Sequence, residues 1–156
     1  MKTAIKKPQE SSNNLYFFCF RHPALAVKMF PEKGRGVIVT EFITRGTLLE
    51  EAPIIPMASS ELEYLKNTSL WPYPFEWPEQ FNSMDAYKNR ESQTESEAPQ
   101  ALVLGMLSLL NHSKAPNTDW ERDYTGLRTR LFSIRDIQPQ EELTYDYRCD
   151  LWFDPK

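Results

Sequence analysis

The sequence has 156 residues, a formal net charge of −4 and 26% charged side chains. Its length suits one domain whose core needs no disulfides, and its acidic balance argues against binding nucleic acid by neutralising phosphates. The same balance is compatible with a basic peptide partner. Cys19 and Cys149 match neither a zinc spacing nor a disulfide framework, which favours reduced thiols. We expect a cytoplasmic protein, or a nuclear one if its source is eukaryotic.

Residues 1–14 are polar and partly basic, and they lack the apolar segment of a signal peptide. We expect them to form a mobile tail. No run in the chain approaches the roughly 20 apolar residues of a membrane span. The sequence therefore predicts no membrane contact and a single domain over residues 15–156.

The first half of that domain is predicted to consist mainly of strands. Aromatic and β-branched residues occur in short runs over residues 15–20, 25–30 and 34–57, and glycines and prolines interrupt them too often for helices. Ser60-x-x-Glu63 has the pattern of a capping box and predicts a short helix. The segment WPYPFEWPEQF (residues 71–81) has too many prolines for regular structure but offers aromatic stacking faces.

The second half is predicted to contain one buried helix and two further strands. Apolar residues at helical spacing in ALVLGMLSLL predict a helix that ends near Asn111. LRTRLFSIRDI (residues 127–137) is typical of a strand and turn. In EELTYDY, alternation places Tyr145 and Tyr147 on one face of a final strand. The whole pattern is that of a mainly β domain with short helices.

Several polar residues are candidates for chemistry, but each alone has an ordinary structural interpretation. His112 has no Cys or second His at ligand spacing, which argues against zinc, and Ser113 adjoins it too closely for a hydrolase triad. Asn111 and His112 alone fit a helix C-terminus as well as a functional site. Purely structural roles are also common for a Gly-Arg-Gly turn, as at residues 34–36, and for paired tyrosines, as in the last strand.

Three motifs, taken together and in their order along the chain, favour the functional interpretation over the structural one. GRGVIVTEFITRGTLLEE (residues 34–51) resembles the Gly-x-Gly strand and the following "I-x-x-Gly-x-x-I/L-x-E" of the SET domain family. LLNHSKAPN (residues 109–117) resembles its "N-H-S-x-x-P-N" signature. IRDIQPQEELTYDY (residues 134–147) resembles its closing "I-x-x-G-E-E-L-T-Y-D-Y". The resemblance covers roughly residues 33–57 and 102–147, and the interval from about 58 to 98 matches the family's variable insert in length only.

The resemblance implies a SET domain, a β-clip-like fold of several small sheets with a knot-like crossing of the Asn-His-Ser segment and the C-terminal strand. It implies a protein lysine N-methyltransferase that uses S-adenosylmethionine and releases S-adenosylhomocysteine. The same resemblance implies that the cofactor-binding residues are Gly34, Arg35, Gly36, Asn111, His112, Tyr147 and Trp152. The catalytic residues are Tyr147 and Tyr145, where Tyr147 is central to catalysis and Tyr145 limits the number of methyl groups added.

The sequence departs from many relatives in its tail. Lys114 follows Ser113 where they carry Cys, only Cys149 lies in the tail (residues 148–156), and Gln140 replaces a glycine. We therefore expect a minimal form without a pre-SET or a zinc-binding post-SET segment, and no metal. Trp152 or Phe153 would then cover either the donor or the lysine channel.

The expected partner is a lysine-containing protein, with the target lysine in a basic segment. Acidic residues that could favour such a segment are Glu50, Glu51, Asp146 and Asp150. Two alternatives remain at this stage. A catalytically silent SET-like module would bind a peptide or protein partner, and an enzyme acting on a non-protein amine would differ only in the lysine channel. No direct nucleic-acid binding is expected.

Overall fold

The computed structural model describes residues 19–77 and 100–148 of the protein. Strands are the main regular structure in these residues, and the helices are short. The strands are β1 (Phe20–Arg21), β2 (Leu25–Phe30), β3 (Gly34–Val39), β4 (Leu48–Met57), β5 (Pro74–Glu76), β6 (Gln100–Val103), β7 (Asn111–His112), β8 (Thr118–Asp123), β9 (Arg128–Ser133) and β10 (Glu142–Tyr145). The helices are α1 (Ser59–Leu65) and a 3-10 helix (Met106–Leu109). The predicted mainly β class is confirmed, whereas the predicted tail over residues 1–14 lies outside the described residues.

The strands form two sheets. The six-stranded sheet has the order β5-β6-β4-β9-β8, with β1 pairing to β4, and the four-stranded sheet has the order β2-β3-β10-β7. The long strand β4 is central because it pairs with β1, β6 and β9. The core is built mainly from buried residues of these strands and of the 3-10 helix, with a few from adjoining segments, and it includes Val37, Val39, Leu49, Leu107, Leu110, Leu131, Ile137 and Leu143.

The predicted helix before Asn111 is wrong in most of its length. Residues 100–103 form β6 instead, and only Met106–Leu109 turn as a 3-10 helix. An apolar run of this length suits a buried strand as well as a helix, and here the antiparallel pairing of β6 with residues 54–57 of β4 decides for the strand. Gly105 then passes so close to β4 that a Cβ there would lie 2.6 Å from Glu50 Oε2.

Two smaller predictions in the insert are also wrong. Helix α1 has Ala58 as its N-cap, and Glu61 Oε2 accepts the Ala58 N–H at 2.8 Å, so the Ser60-x-x-Glu63 capping box does not form. Part of the proline-rich aromatic segment is regular, because Pro74–Glu76 form β5 at the edge of the larger sheet. Pro74 occupies the first position of this edge strand, where a missing N–H is tolerated.

The Asn-His-Ser segment lies alongside the closing strand, as the resemblance implied. β7 pairs in parallel with β10, so that Asn111 is opposite Thr144 and His112 is opposite Tyr145. Ser113 N–H extends the pairing by donating to the Tyr145 carbonyl at 3.1 Å. β3 pairs with the other edge of β10. The three motifs that are distant in sequence are therefore neighbours in one sheet.

Asn117 fixes the return of the chain from this segment. Its side chain is buried, its Oδ1 accepts from Thr144 N–H at 2.8 Å, and its Nδ2 donates to the Glu142 carbonyl at 2.7 Å. These bonds satisfy main-chain groups of β10 next to β7. Asn117 is thus a structural tie between the signature motif and the closing strand.

Glu50 anchors the 3-10 helix that leads into β7. Its carboxylate is buried at 5% exposure and accepts the N–H groups of Met106 at 2.9 Å and Leu107 at 3.1 Å. Burial raises the pKa of Glu50.

Because the Glu50 carboxylate is buried and hydrogen-bonded inside the fold, the suggestion that Glu50 attracts a basic substrate is wrong. Glu51 instead pairs with Arg128 and Arg130, and Asp150 lies outside the described residues.

The helices of the described ranges are all too short or too polar to cross a membrane.

Replacing Glu50 with alanine tests the anchoring of the 3-10 helix. Glu50→Ala leaves the N–H groups of Met106 and Leu107 without their acceptor inside the fold. We therefore expect the free energy of unfolding to fall by about 2–4 kcal/mol. Chemical denaturation measures it. The control is Glu121→Ala, whose side chain is 67% exposed and whose loss should cost about 0.5 kcal/mol or less. Equal effects of the two substitutions would contradict the anchoring role.

Candidate functional site

A pocket of about 970 Å³ opens where the two sheets meet. Its lining, within the described parts of the chain, comes from the start of β3, the segment around β5, the end of the 3-10 helix with β7, and the residues around β10. Six of the predicted site residues line it: Gly34, Arg35, Asn111, His112, Tyr145 and Tyr147. Gly36 lies behind this lining, and Trp152 and Phe153 fall outside the described residues.

Gly36 lets two side chains meet beneath the pocket. A Cβ at this position would lie 2.8 Å from Asn111 Nδ2 and 2.9 Å from Glu142 Oε1. With glycine there, Asn111 Nδ2 donates to Glu142 Oε1 at 2.6 Å and to the Arg35 carbonyl at 3.3 Å. Gly34 is needed for a different reason, because its φ of 79° lies in the left-handed region.

Arg35 connects the β3 edge of the pocket with the segment before β5. Its guanidinium donates from Nη2 to Tyr73 Oη at 2.9 Å, and both residues line the pocket. Its carbonyl accepts from Asn111, as described above. Arg35, which the resemblance identified as a cofactor-binding residue, therefore also contributes its side chain to the lining of the pocket.

His112 braces the turn after β10 from inside the fold. Its side chain is 5% exposed, and its Nδ1 accepts the Tyr147 N–H at 3.2 Å. This bond places the imidazole proton on Nε2 in the neutral ring. Nε2 is buried and has no hydrogen-bond partner among the described residues. A buried polar atom without a protein partner can be satisfied by water or by a bound polar group.

Four rings form an aromatic wall on the other side of the pocket: Phe75, Trp120, Tyr145 and Tyr147. Tyr145 lies 4.7 Å from Tyr147 and stacks on Phe75 at 6.0 Å between centroids. Phe75 contacts Trp120 edge-on at 5.4 Å. The Tyr147 hydroxyl donates to the Leu110 carbonyl at 2.8 Å. The wall therefore joins β5, β8 and β10 into one apolar surface.

Sequence reasoning identified two of these four rings and missed Phe75, Trp120 and the nearby Tyr73. A signal was available, since the prolines and aromatics of residues 71–81 are unusually dense. What the sequence did not provide was the pairing of β5 with β6, which brings Phe75 onto Tyr145. Trp120 faces the pocket through the register of β8, which the sequence analysis did not assign as a strand.

Charged groups surround the opening of the pocket. Arg148 binds both carboxylate oxygens of Asp119 at 2.8 and 2.9 Å. The Arg122 guanidinium lies 4.4 Å from the Trp120 ring centre and donates to the Glu76 carbonyl. The Asp146 side chain is half exposed beside the pocket. Both signs of charge therefore meet at the opening.

The residues of the pocket fit S-adenosylmethionine. The pocket volume is at the upper end of small-molecule sites. One side presents main chain and the Asn111 carboxamide to a polar amino-acid group, and the other presents the aromatic wall to an apolar or cationic group. His112, which also lines the pocket, contributes a buried Nε2 with no hydrogen-bond partner among the described residues. Over residues 19–77 and 100–148, no group of three or more metal-ligating side chains is found.

Comparisons with known proteins agree with this geometry. The SET domain family model matches residues 34–148. A Schizosaccharomyces pombe protein, the "Histone-lysine N-methyltransferase, H3 lysine-37 specific", is 30% identical over 131 residues, which are 83% of this chain and 77% of the relative.

Two solved structures share the fold. A Plasmodium falciparum protein described as a candidate histone methyltransferase has a TM-score of 0.56 at 19% identity, over 83% of this chain and 97% of that one. The Neurospora SET domain protein DIM-5, a histone lysine methyltransferase, has a TM-score of 0.55 at 21% identity, over 85% of this chain and 55% of that one.

The chain belongs to the SET domain family. Together with the curated relative, this membership makes it a protein lysine N-methyltransferase. The predictions of family, fold class and enzyme class are confirmed.

Two glycine substitutions separate the local requirement at Gly36 from a general backbone effect. In Gly36→Ala the new Cβ would push Asn111 away from Glu142, so we expect the affinity for S-adenosylhomocysteine to fall about tenfold or more. Gly46→Ala is the control, because Gly46 has a φ of 82° with nothing within 4 Å of a Cβ. It should cost about 1 kcal/mol of stability and leave that affinity unchanged. Calorimetric titration, at a temperature below the melting temperatures of both variants, measures their affinities. Equal affinities of Gly36→Ala and Gly46→Ala would refute the local requirement at Gly36.

Proposed function

We propose that this protein transfers a methyl group from S-adenosylmethionine to a lysine side chain in a basic, histone-like protein segment. The observation that carries this proposal is the meeting of β3, β7 and β10 at one pocket whose opposite side is the aromatic wall. When bound, S-adenosylmethionine supplies an electrophilic methyl group on a cationic sulfur and leaves as S-adenosylhomocysteine.

The donor would be held on the side of the pocket formed by β3 and β7. The main chain of Gly34 and Arg35 and the carboxamide of Asn111 suit its amino-acid end, and the main chain of His112 suits its adenine. The Tyr147 ring, 5.2 Å from the His112 ring, would contact it from the segment after β10. Trp152 remains a predicted contact from the tail.

The lysine would enter along the aromatic wall. Its aliphatic stem packs well against rings, and burial of its amine favours the neutral form that acts as a nucleophile. The Tyr147 hydroxyl proton is directed to the Leu110 carbonyl, so the Tyr147 oxygen keeps lone pairs that can accept a weak bond from a polarised C–H group. Tyr147 would therefore align the reacting groups without acting as a base, and positioning would supply much of the rate.

Tyr145 would limit how many methyl groups the lysine accepts. Its ring is buried between Phe75 and Tyr147, which leaves little room beside it for a methylated amine to turn. We infer that the product is of low methylation state.

Several observations support a basic protein substrate. The curated relative is named for lysine 37 of histone H3, and this chain carries a net charge of −4. The half-exposed Asp146 beside the pocket can attract a cation near the target lysine. A silent peptide-binding module is not favoured, because the tyrosines and the Asn-His pair of an active site all line one pocket. The cytoplasmic or nuclear location remains a prediction.

The substitution Tyr147→Phe tests this function. Removing the hydroxyl keeps the ring, so we expect the donor affinity to change less than about threefold while kcat falls about tenfold or more. Mass spectrometry of recombinant histone H3 incubated with labelled donor measures turnover, and calorimetry measures donor affinity.

Tyr124→Phe is the matched control, because Tyr124 packs on Trp77 outside the pocket lining. It should keep full activity. Unchanged turnover in Tyr147→Phe, or an equal loss in both variants, would remove Tyr147 from the catalytic role. If neither histones nor other basic proteins are methylated by the wild type, the substrate assignment fails.

A further inference from the structure

The Asn111 carboxamide has a fixed orientation in this structure. Both acceptors near its nitrogen lie in the protein, namely Glu142 Oε1 at 2.6 Å and the Arg35 carbonyl at 3.3 Å. An amide nitrogen carries two protons, so these two bonds use its full donor capacity. In the described part of the chain no hydrogen bond reaches Asn111 Oδ1. The oxygen is therefore the atom that this carboxamide can offer to a ligand in the pocket.

Glu142 determines that orientation from outside the pocket. It is not among the lining residues, its side chain is only 15% exposed, and its second oxygen accepts from Lys33 Nζ at 2.9 Å. A carboxylate is an acceptor at both oxygens and cannot donate to Asn111 Oδ1. Rotating the Asn111 amide by half a turn would place two oxygens against each other at this short distance. Gly36 leaves the space that this contact needs.

We propose that Glu142, itself held by Lys33, is a positioning residue that fixes the Asn111 carboxamide with its oxygen available to the ammonium group of the methyl donor. This inference rests on the proposed function, since it concerns the donor side of the same pocket. Glu142 does not touch the donor. It acts through Asn111, and so its effect should disappear when Asn111 is removed.

A double-mutant cycle on donor affinity tests the proposal. Calorimetric titration with S-adenosylhomocysteine is performed on the wild type, Asn111→Ala, Glu142→Ala and the double variant. We expect Glu142→Ala alone to weaken donor binding about tenfold, because the charge-assisted hydrogen bond that orients Asn111 is lost. In the Asn111→Ala background, the same change should alter the affinity less than about twofold, because the residue through which Glu142 acts is absent.

The conservative variant and the kinetics separate positioning from simple stability. Glu142→Gln retains an oxygen that can accept from Asn111 Nδ2, so it should recover most of the affinity lost in Glu142→Ala. At saturating donor, kcat of Glu142→Ala should stay within about twofold of the wild type while KM for the donor rises. Glu41→Gln, an exposed residue away from the pocket, controls for the lost charge and should change neither constant.

The outcomes are distinguishable. If the wild type does not bind the donor at all, the proposed function fails and this inference fails with it. If the wild type binds and Glu142→Ala weakens binding equally in both backgrounds, Glu142 is a structural residue only and the positioning role is overturned. Unchanged affinity in Glu142→Ala likewise overturns it, with the proposed function intact. Melting temperatures of all variants confirm that each titration is made on folded protein.

Discussion

The parallel pairing of β7 with β10 is the constraint on which the site depends. It places Asn111 opposite Thr144 and His112 opposite Tyr145, and so brings a motif near residue 111 against one near residue 145. Two main-chain strands of such short length would not hold together alone. Asn117 supplies the missing bonds to β10 from one side, and the buried Glu50 carboxylate fixes the 3-10 helix that enters β7 from the other.

The pocket that results has two chemically different sides. Around β3 and β7, main-chain groups and one carboxamide can recognise a polar amino-acid group, while the aromatic wall can hold an aliphatic stem ending in an amine. The polar side comes from the four-stranded sheet, whereas the aromatic wall combines Phe75 and Trp120 of the six-stranded sheet with Tyr145 of β10. The packing of the two sheets therefore aligns the reacting groups. Positioning of this kind can supply much of the rate of methyl transfer, so that the reaction does not require a strong base.

The sequence predicted the family and the mainly β class, because three motifs resemble those of SET domains in the same order and because short, interrupted apolar runs favour strands. Prediction from the sequence failed where pairing between segments distant in the chain determines the secondary structure or the burial of a residue. Residues 100–103 have an apolar pattern that suits a helix, yet pairing with β4 makes them a strand. Glu50 is an acidic residue of a kind that usually lies at the surface, yet it accepts from N–H groups 56 and 57 residues away. Phe75 and Glu142 gain their roles only from the strands they meet in the folded chain.

The proposed binding site of the methyl donor is the pocket between β3, β7 and β10. The most direct measurement is a crystal structure of the purified protein with S-adenosylhomocysteine, supported by calorimetric titration of the same sample. We expect saturable one-to-one binding, with the amino-acid end of the ligand beside Asn111 and its sulfur facing the aromatic wall near Tyr147. Absence of binding, even with a lysine peptide present, or a ligand bound away from Asn111 and Tyr147, would contradict it.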